Sequence, residues 1–240
     1  MASSVAPNIV TDGLVLALDA ANSKSYEGSG TVWSDLVDND TCNLVNGPTF
    51  DSDNGGNITF DGTNDYGTIP SYNKDNQSEL SVFTWVYVRS YKTSGGNSNA
   101  ILVNKRSTGA GGDMQWQLNV RNGAISAAIF GGSTTLSNLN DTGNAQTSFQ
   151  LNKWFYVGFT TGGQTDSTLK VYQDGVLSDT GTLTGNRKTG SRDIILANSA
   201  YNINQLPTQC SIANVMMYNK ELTPQEILQN YNSTKGRFGL

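Results

Sequence analysis

The sequence predicts an all-β fold: an antiparallel two-sheet β-sandwich or jelly roll carrying one short C-terminal α-helix. Three observations predict it. Short runs of alternating apolar and polar residues recur along the chain, bounded by Gly, Asn, Asp and Ser. Turn signals fall roughly every ten residues, the spacing of sandwich strands. A helical signature occurs once, in the closing segment ELTPQEILQNYNSTKGRF.

Each element has a local reason. NITFDG (57–62) alternates Ile58 and Phe60. In ELSVFTWVYVRS (79–90), Leu80, Val82, Val86 and Val88 share one face while Phe83, Trp85 and Tyr87 share the other. Apolar side chains on both faces mark a strand covered on both sides. AILVNKR (100–106) is the next run. MQWQLNVRNGAISAAIF (114–130) reads as two strands around Asn122-Gly123, since both turn positions tolerate positive φ. KWFYVGFTTGGQTDSTLKVYQDGVLSDTG (153–181) is a second such unit, turning at Gly162-Gly163 and Asp174-Gly175. RDIILANS (192–199) and QCSIANVMMYN (209–219) complete the set.

The helix has Thr223 as N-cap, Pro224 at its first position and Glu226 closing a capping box. Ile227, Leu228 and Tyr231 form its apolar stripe, and Asn232-Ser233 and Gly236 stop it. It is expected to be a lid on the sandwich, not a site. Nothing reads as a linker or repeat, so residues 9–240 are expected to form one domain behind an N-terminal arm, residues 1–8. That arm carries no charged side chain and contains Pro7, which suits an extended path along a neighbouring subunit.

Composition removes several functions. With 240 residues the chain can bury a core without staples. Only 15% of residues are charged and the net charge is -5, so no basic face for nucleic acid is expected; NRKTGSR (186–192) reads as a solvated loop. No apolar run approaches the roughly 20 residues that span a bilayer. The start, MASSVAPNIVTDG, lacks the pattern of a signal peptide, so synthesis in a cytoplasm is expected. Cys42 and Cys210 are then expected as two reduced thiols, the alternative being that neighbouring first and last strands bring them together. The chain has no histidine, which removes Ser-His-Asp and Cys-His chemistry.

Five segments occur in an order that carries a resemblance: GLVLALDAANSKSYEGSGTVWSDL, FDGTNDYGTIP, FTWVYV, LKVYQDGVL and SIANVMMYNKELTPQEILQNYNSTKGRFGL. From about residue 9 to the C-terminus the chain resembles laminin-G-like domains of the concanavalin A-like lectin/glucanase superfamily. It is most similar to versions found in structural proteins of tailed, often marine, bacteriophages. The resemblance implies a jelly roll displayed on a virion as a capsid decoration or fibre component, made in a host cytoplasm. Its implied partners are other virion proteins, further copies of itself and host-surface or environmental glycans. A cellular lectin module is the alternative and a glycoside hydrolase a distant third.

Candidate sites follow. Retaining glycosidases need two carboxyls about 5–5.5 Å apart. The superfamily's β-glucanases carry them in a Glu-x-Asp-x-x-Glu pattern; the four glutamates here, Glu27, Glu79, Glu221 and Glu226, do not form one. Catalysis is therefore not expected. Calcium wants six to eight oxygens, and relatives hold one where the first and last strands meet. Asp35, Asp38 and Asp40 of SDLVDND, with Asp19, are the candidate Ca²⁺ ligands, set against ordinary Asx-turns. In the last strand, Ile212-Ala213-Asn214-Val215 stands where metal-binding relatives often carry acids. The loop FDGTNDYGTIP reads as a tight corner, or as a polar rim in which Asp61, Asn64, Asp65 and Tyr66 touch a glycan. Among aromatics, Trp85, Trp116 and Trp154 lie in strands and are expected in the core, whereas Trp33, Tyr26, Tyr72 and Tyr91 are the candidates for exposed rings, with Trp33 in the glycan set.

Overall fold

A computed structural model describes residues 7–75, 78–94, 97–106, 114–131, 134–140, 149–163, 168–183, 185–199 and 206–240. The strands among them are β1 (Leu14–Asp19), β2 (Val32–Ser34), β3 (Thr41–Val45), β4 (Thr49–Asp51), β5 (Asn57–Asp61), β6 (Tyr66–Tyr72), β7 (Leu80–Val88), β8 (Lys92–Ser94) and β9 (Asn97–Arg106). They continue with β10 (Met114–Arg121), β11 (Ala124–Gly131), β12 (Thr134–Asn140), β13 (Trp154–Thr161), β14 (Thr168–Gln173), β15 (Val176–Thr182), β16 (Arg192–Leu196) and β17 (Gln209–Tyr218). All pairings are antiparallel. The first sheet runs β15-β14-β13-β7-β17-β5-β4, with β1 also on β17. The second runs β12-β11-β10-β9-β16-β6-β3-β2, with β8 on β9. The architecture is the predicted two-sheet sandwich.

The two hairpins turn where the sequence places them. Asn122 and Gly123 have φ of 51° and 81°, and Asp174 and Gly175 have 52° and 80°. That left-handed pair matches the twist of the strands it joins. The main core lies between the sheets and takes Val82, Val86 and Val88 from β7, Ile212 and Met217 from β17, and Trp116 and Leu118 from β10. The other face of β7 sends Phe83 and Trp85 into a second cluster with Tyr156, Met216, Tyr218 and Ile227, on the outside of the first sheet. Gly158 of β13 lets β7 approach there, since a Cβ would lie 2.2 Å from the Phe83 ring.

That second cluster is what the helix α1 (Pro224–Thr234) covers. Its capping box is formed: Glu226 N donates to Thr223 Oγ1 (3.3 Å), and Thr223 N donates to Glu226 Oε2 (2.9 Å). The buried stripe differs from the expected one. Ile227 faces the sheet but Leu228, a further 100° round the helix, is 45% exposed. Asn230 takes the inward position three residues on: its Oδ1 accepts from Val10 N (2.8 Å) and its Nδ2 donates to Tyr218 Oη (3.0 Å). The α-helix ends at Thr234, where the sequence places its stop, and the chain goes on through a 3-10 turn, Lys235–Phe238.

One edge of β17 is shared by two strands. Residues Gln209–Ile212 pair with β5 and Asn214–Tyr218 with β1, with Ala213 at the irregularity between them. Ala20 N donates to Ala213 O (3.0 Å), and Asn214 Oδ1 accepts from Trp85 N (3.0 Å). The seam between the end of β1 and the start of β5 is tight: a Cβ on Gly56, whose φ is 133°, would lie 2.6 Å from Ala20 O. Arg237 closes it. Its Nη1 donates to both Asp19 carboxylate oxygens (2.9 and 3.2 Å), Nε to Asn54 O (3.1 Å) and Nη2 to Gly56 O (3.1 Å).

Residues 1–6 of the expected arm lie outside the described residues. Asn8 O accepts from Gln229 Nε2 (2.7 Å), so the chain is already docked on the helix by residue 8. Cys42 and Cys210 are free and buried in opposite sheets, and burial pushes the Cys210 thiol up to about 12. No helix among the described residues is long and apolar enough to cross a membrane.

Two substitutions test this account. Thr223→Ala should lower unfolding free energy by about 1 kcal/mol, as for a lost N-cap, read from urea denaturation. Arg237→Ala should cost more, about 2 kcal/mol, because a carboxylate and two carbonyls lose a charged donor. Arg237→Lys should recover only part of the loss, since an ammonium cannot reproduce the planar fork.

Candidate functional site

The loop 61–66 carries the chain from β5 in the first sheet to β6 in the second. Its polar groups are engaged with the loop itself. Thr63 N donates to Asp61 Oδ1 (2.7 Å), and Asp61 N donates to Asp65 Oδ2 (3.1 Å). Asn64 O accepts from Asn46 Nδ2 (2.8 Å), and Tyr66 pairs with Val45 of β3. The Thr63 N–H holds the Asp61 carboxyl below its usual range, while burial raises that of Asp65. Gly62, at φ 75°, passes so close to Gln209 that a Cβ would lie 2.7 Å from it. These are the contacts of a corner; Asp61 is exposed and Asp65 is buried.

Trp33 requires a correction. It is fully buried beside Cys42, its partner across β2 and β3, and Tyr26 and Tyr72 are buried as well. These rings cannot meet a ligand. The short strands β2 and β3, which put Trp33 inside, lack an alternating run long enough to be read from sequence.

The three aspartates of SDLVDND are also in use. Asp35 accepts from the backbone N–H groups of Ala17 (2.7 Å), Val37 (3.1 Å) and Asp38 (3.0 Å), and burial raises its carboxyl against their effect. Asp38 and Asp40 both accept from Lys74 Nζ, at 2.8 and 2.5 Å. Asp19, the fourth candidate, holds Arg237. Among the described residues no group of three or more His, Cys, Asp or Glu is arranged to hold a metal ion.

A different constellation lies on the outside of the first sheet. Register aligns Trp154 of β13, Tyr87 of β7, Ser211 of β17 and Thr59 of β5 in one cross-strand row. Period-2 alternation turns all four away from the core. The helix covers Phe83, Trp85 and Tyr156 on this face; Trp154, Tyr87 and Thr59 stay partly exposed beyond it, while Ser211 between them is buried. The rings form a continuous file: Trp85 stacks on Phe238 (4.0 Å, 21°), Phe238 meets Trp154 (4.8 Å), Trp154 meets Tyr87 (5.6 Å), and the Arg89 guanidinium lies 4.9 Å from the Tyr87 centroid.

Trp154 and Tyr87 form the ridge between two depressions. The larger, about 610 Å³, is lined by Asn152, Lys153, Gln173, Asp174 and the tail residues Phe238 and Leu240, among others. The smaller, about 220 Å³, is lined by Asp51, Asp53, Asn57, Arg89 and Ser211 besides the two rings. Asn54 fixes Trp154: with its amide oxygen turned to the indole, it accepts from Trp154 Nε1 (3.1 Å) and donates to Arg237 O (3.1 Å). Asn57 Nδ2 donates to Asp51 O (3.3 Å) and Asp53 O (3.2 Å), which sets the 3-10 turn Asp53–Gly55 against the cleft. Thr59 Oγ1 and Ser211 Oγ share a hydrogen bond (2.8 Å). Asp174 Oδ1 accepts from Tyr156 N (3.0 Å), and burial raises its carboxyl.

Two polar groups in these walls lack partners. Among the described residues, Gln173, 4% exposed, has no donor to its Oε1, and the buried Arg89 Nη1 has no acceptor. Such groups are rare in folded proteins and mark places where a ligand or water completes the bonding. Chemically, the row offers ring faces for the C–H surface of a pyranose, with hydroxyls, amides and carboxylates beside them for its hydroxyls. A second buried cluster, in which Lys105 Nζ and Trp116 Nε1 donate to the Asp75 carboxylate and Arg187 Nη2 to its carbonyl, is closed within the fold.

Sequence reasoning placed Trp154 in the core and did not single out Arg89 or Ser211. The alternation in VFTWVYVR does put Tyr87 and Arg89 on the face of Trp85. What it omits is where the helix stops covering that face.

The fold recurs in solved structures. Trypanosoma rangeli sialidase in complex with sialic acid matches with a TM-score of 0.68 at 18% identity over 98% of this chain and 36% of that one. The botulinum neurotoxin serotype D binding domain matches at 0.66 and 17% identity over 92% of this chain and 51% of that one. The type G receptor binding domain gives 0.65 and 15% over 92% and 51%. The chain thus spans about a third of the sialidase and about half of the toxin domains, and at these identities the likeness is one of fold. No curated protein matches in sequence. The family model Laminin_G_3, described as concanavalin A-like lectin/glucanases superfamily, matches residues 61–228. Since that span is most of the chain, the protein belongs to this family of concanavalin A-like domains.

Proposed function

We propose that the protein is a non-enzymatic carbohydrate-binding domain carried on a tailed-bacteriophage particle, as a capsid decoration or appendage component. The observation that carries the binding part is the partly exposed ring pair Trp154–Tyr87 at the rim of the cleft, with Asp51, Asp53 and Arg89 beside it. Rigid rings next to short polar side chains suit a sugar's two kinds of surface. Binding without hydrolysis fits the four glutamates, which do not form the Glu-x-Asp-x-x-Glu pattern of the β-glucanases. It also fits the use of Asp51, whose carboxylate accepts from Asp53 N (2.9 Å) and so helps build the wall. The virion part rests on the ordered sequence segments that resemble phage structural proteins, and it implies other virion proteins and further copies of this chain as neighbours. The same cleft would serve a cellular lectin.

Trp154→Ala should weaken binding of a glycan found by array screening at least tenfold, by isothermal titration calorimetry, with the melting midpoint checked in parallel. Retained affinity in both Trp154→Ala and Tyr87→Ala would move the site elsewhere. Mass spectrometry of gradient-purified particles should find the protein at stoichiometric levels; its recovery only from the soluble cell fraction would favour the lectin.

A further inference from the structure

Resting on that reading, we propose that the cleft selects sugars bearing a carboxylate, and that Arg89 is the residue that reads it. The depression beside Tyr87 is polarised. Asp51 lies on β4, three strand spacings from β7, or about 14 Å at about 4.8 Å per strand. Arg89 follows immediately after β7, at the opposite side. A pyranose seated on Trp154 and Tyr87 therefore has the cation beside it, and the acids lie at the far end of the cleft, beyond the width of one ring.

Arg89 is also set apart from the protein's other cations. Five of the other cations, Lys74, Lys105, Lys170, Lys220 and Arg237, hold a carboxylate of the protein, and what sets Arg89 apart is a buried guanidinium nitrogen in the wall of the cleft. Among the described residues the Arg89 guanidinium packs on the Tyr87 ring, and its buried Nη1 meets no acceptor. The neighbouring Gln209, whose Oε1 could accept, is taken by Ser90 Oγ (3.1 Å). Asp61, next along that row on β5, accepts from Thr63. A guanidinium is a planar fork that matches a carboxylate bidentately, and stacking on a ring holds it in place for that contact. An arginine whose guanidinium meets no acceptor among the described residues, at the cationic side of the cleft, fits a sugar acid.

The chemistry is shared by uronates within polysaccharides and by terminal sialic acids, so both are probed. Isothermal titration would compare trigalacturonate with its methyl ester, and sialyllactose with lactose. At least one acid should bind tenfold or more tightly than its neutral counterpart and weaken as NaCl is raised to 0.5 M, a salt range in which exposed charges are screened. Whichever pair shows the preference identifies the source. Arg89→Gln should lower affinity for that acid at least tenfold and bring the acid-to-neutral ratio near one, with Arg89→Lys intermediate; each variant's melting midpoint confirms that it folds. Equal affinity for acid and ester, or a preference that survives in folded Arg89→Gln, overturns the proposal. In that event the cleft itself still stands if Trp154→Ala abolishes binding. Failure of all four probes, together with glycan binding that ignores Trp154→Ala, overturns both.

Discussion

Strand β17 is flanked along one edge by two different strands, and the gap where β5 gives way to β1 is closed by the Arg237 guanidinium. Without a side-chain donor, Asn54 O, Gly56 O and the Asp19 carboxylate would be left together there. One carboxylate and two carbonyl oxygens brought together need hydrogen-bond donors between them, and a guanidinium supplies both charge and directed N–H groups. The residue comes from the last four of the chain. The sheet's middle is therefore complete only after its C-terminus has docked, and the long sequence separation of these contacts predicts slow, cooperative folding.

The same tail builds the cleft. With Arg237 anchored, Phe238 is held between Trp85 and Trp154. The Arg237 carbonyl accepts from the Asn54 amide, whose oxygen holds the Trp154 indole. One short segment thus links the sheet seam, the 3-10 turn and the ring that a sugar would meet. Sites are most accurate when supporting groups are themselves fixed, and here the support is the backbone closure of the sheet. The polarity of the cleft follows from register: β7 brings Arg89, β4 brings Asp51, and the strands between contribute hydroxyls.

Much of the fold was legible because it is written in local terms. The double-faced apolar pattern of residues 80–88 marks a strand with a core on either side, and the Asn122-Gly123 and Asp174-Gly175 turns fix hairpins through positive φ. The capping box at Thr223 is likewise complete within four residues. What failed was set by distant partners. Leu228 looked inward by composition, but the inward position belongs to Asn230, whose amide serves Val10 and Tyr218 from the other end of the chain. Trp33 and Trp154 exchanged roles for the same reason. Strand alternation gives a side chain's face, whereas its exposure depends on which part of that face a helix covers. A row assembled from β13, β7, β17 and β5 has no sequence signature, since its members are scattered between residues 59 and 211.

The burial of the aromatics has a spectroscopic consequence. The chain has four tryptophans, and Trp33, Trp85 and Trp116 are at most 1% exposed. Trp154 alone stands at the surface, on the ridge of the cleft. Acrylamide added to the folded protein would extinguish one indole's emission and leave three nearly untouched. The quenchable fraction is a native optical reporter of whether that ridge is open or covered.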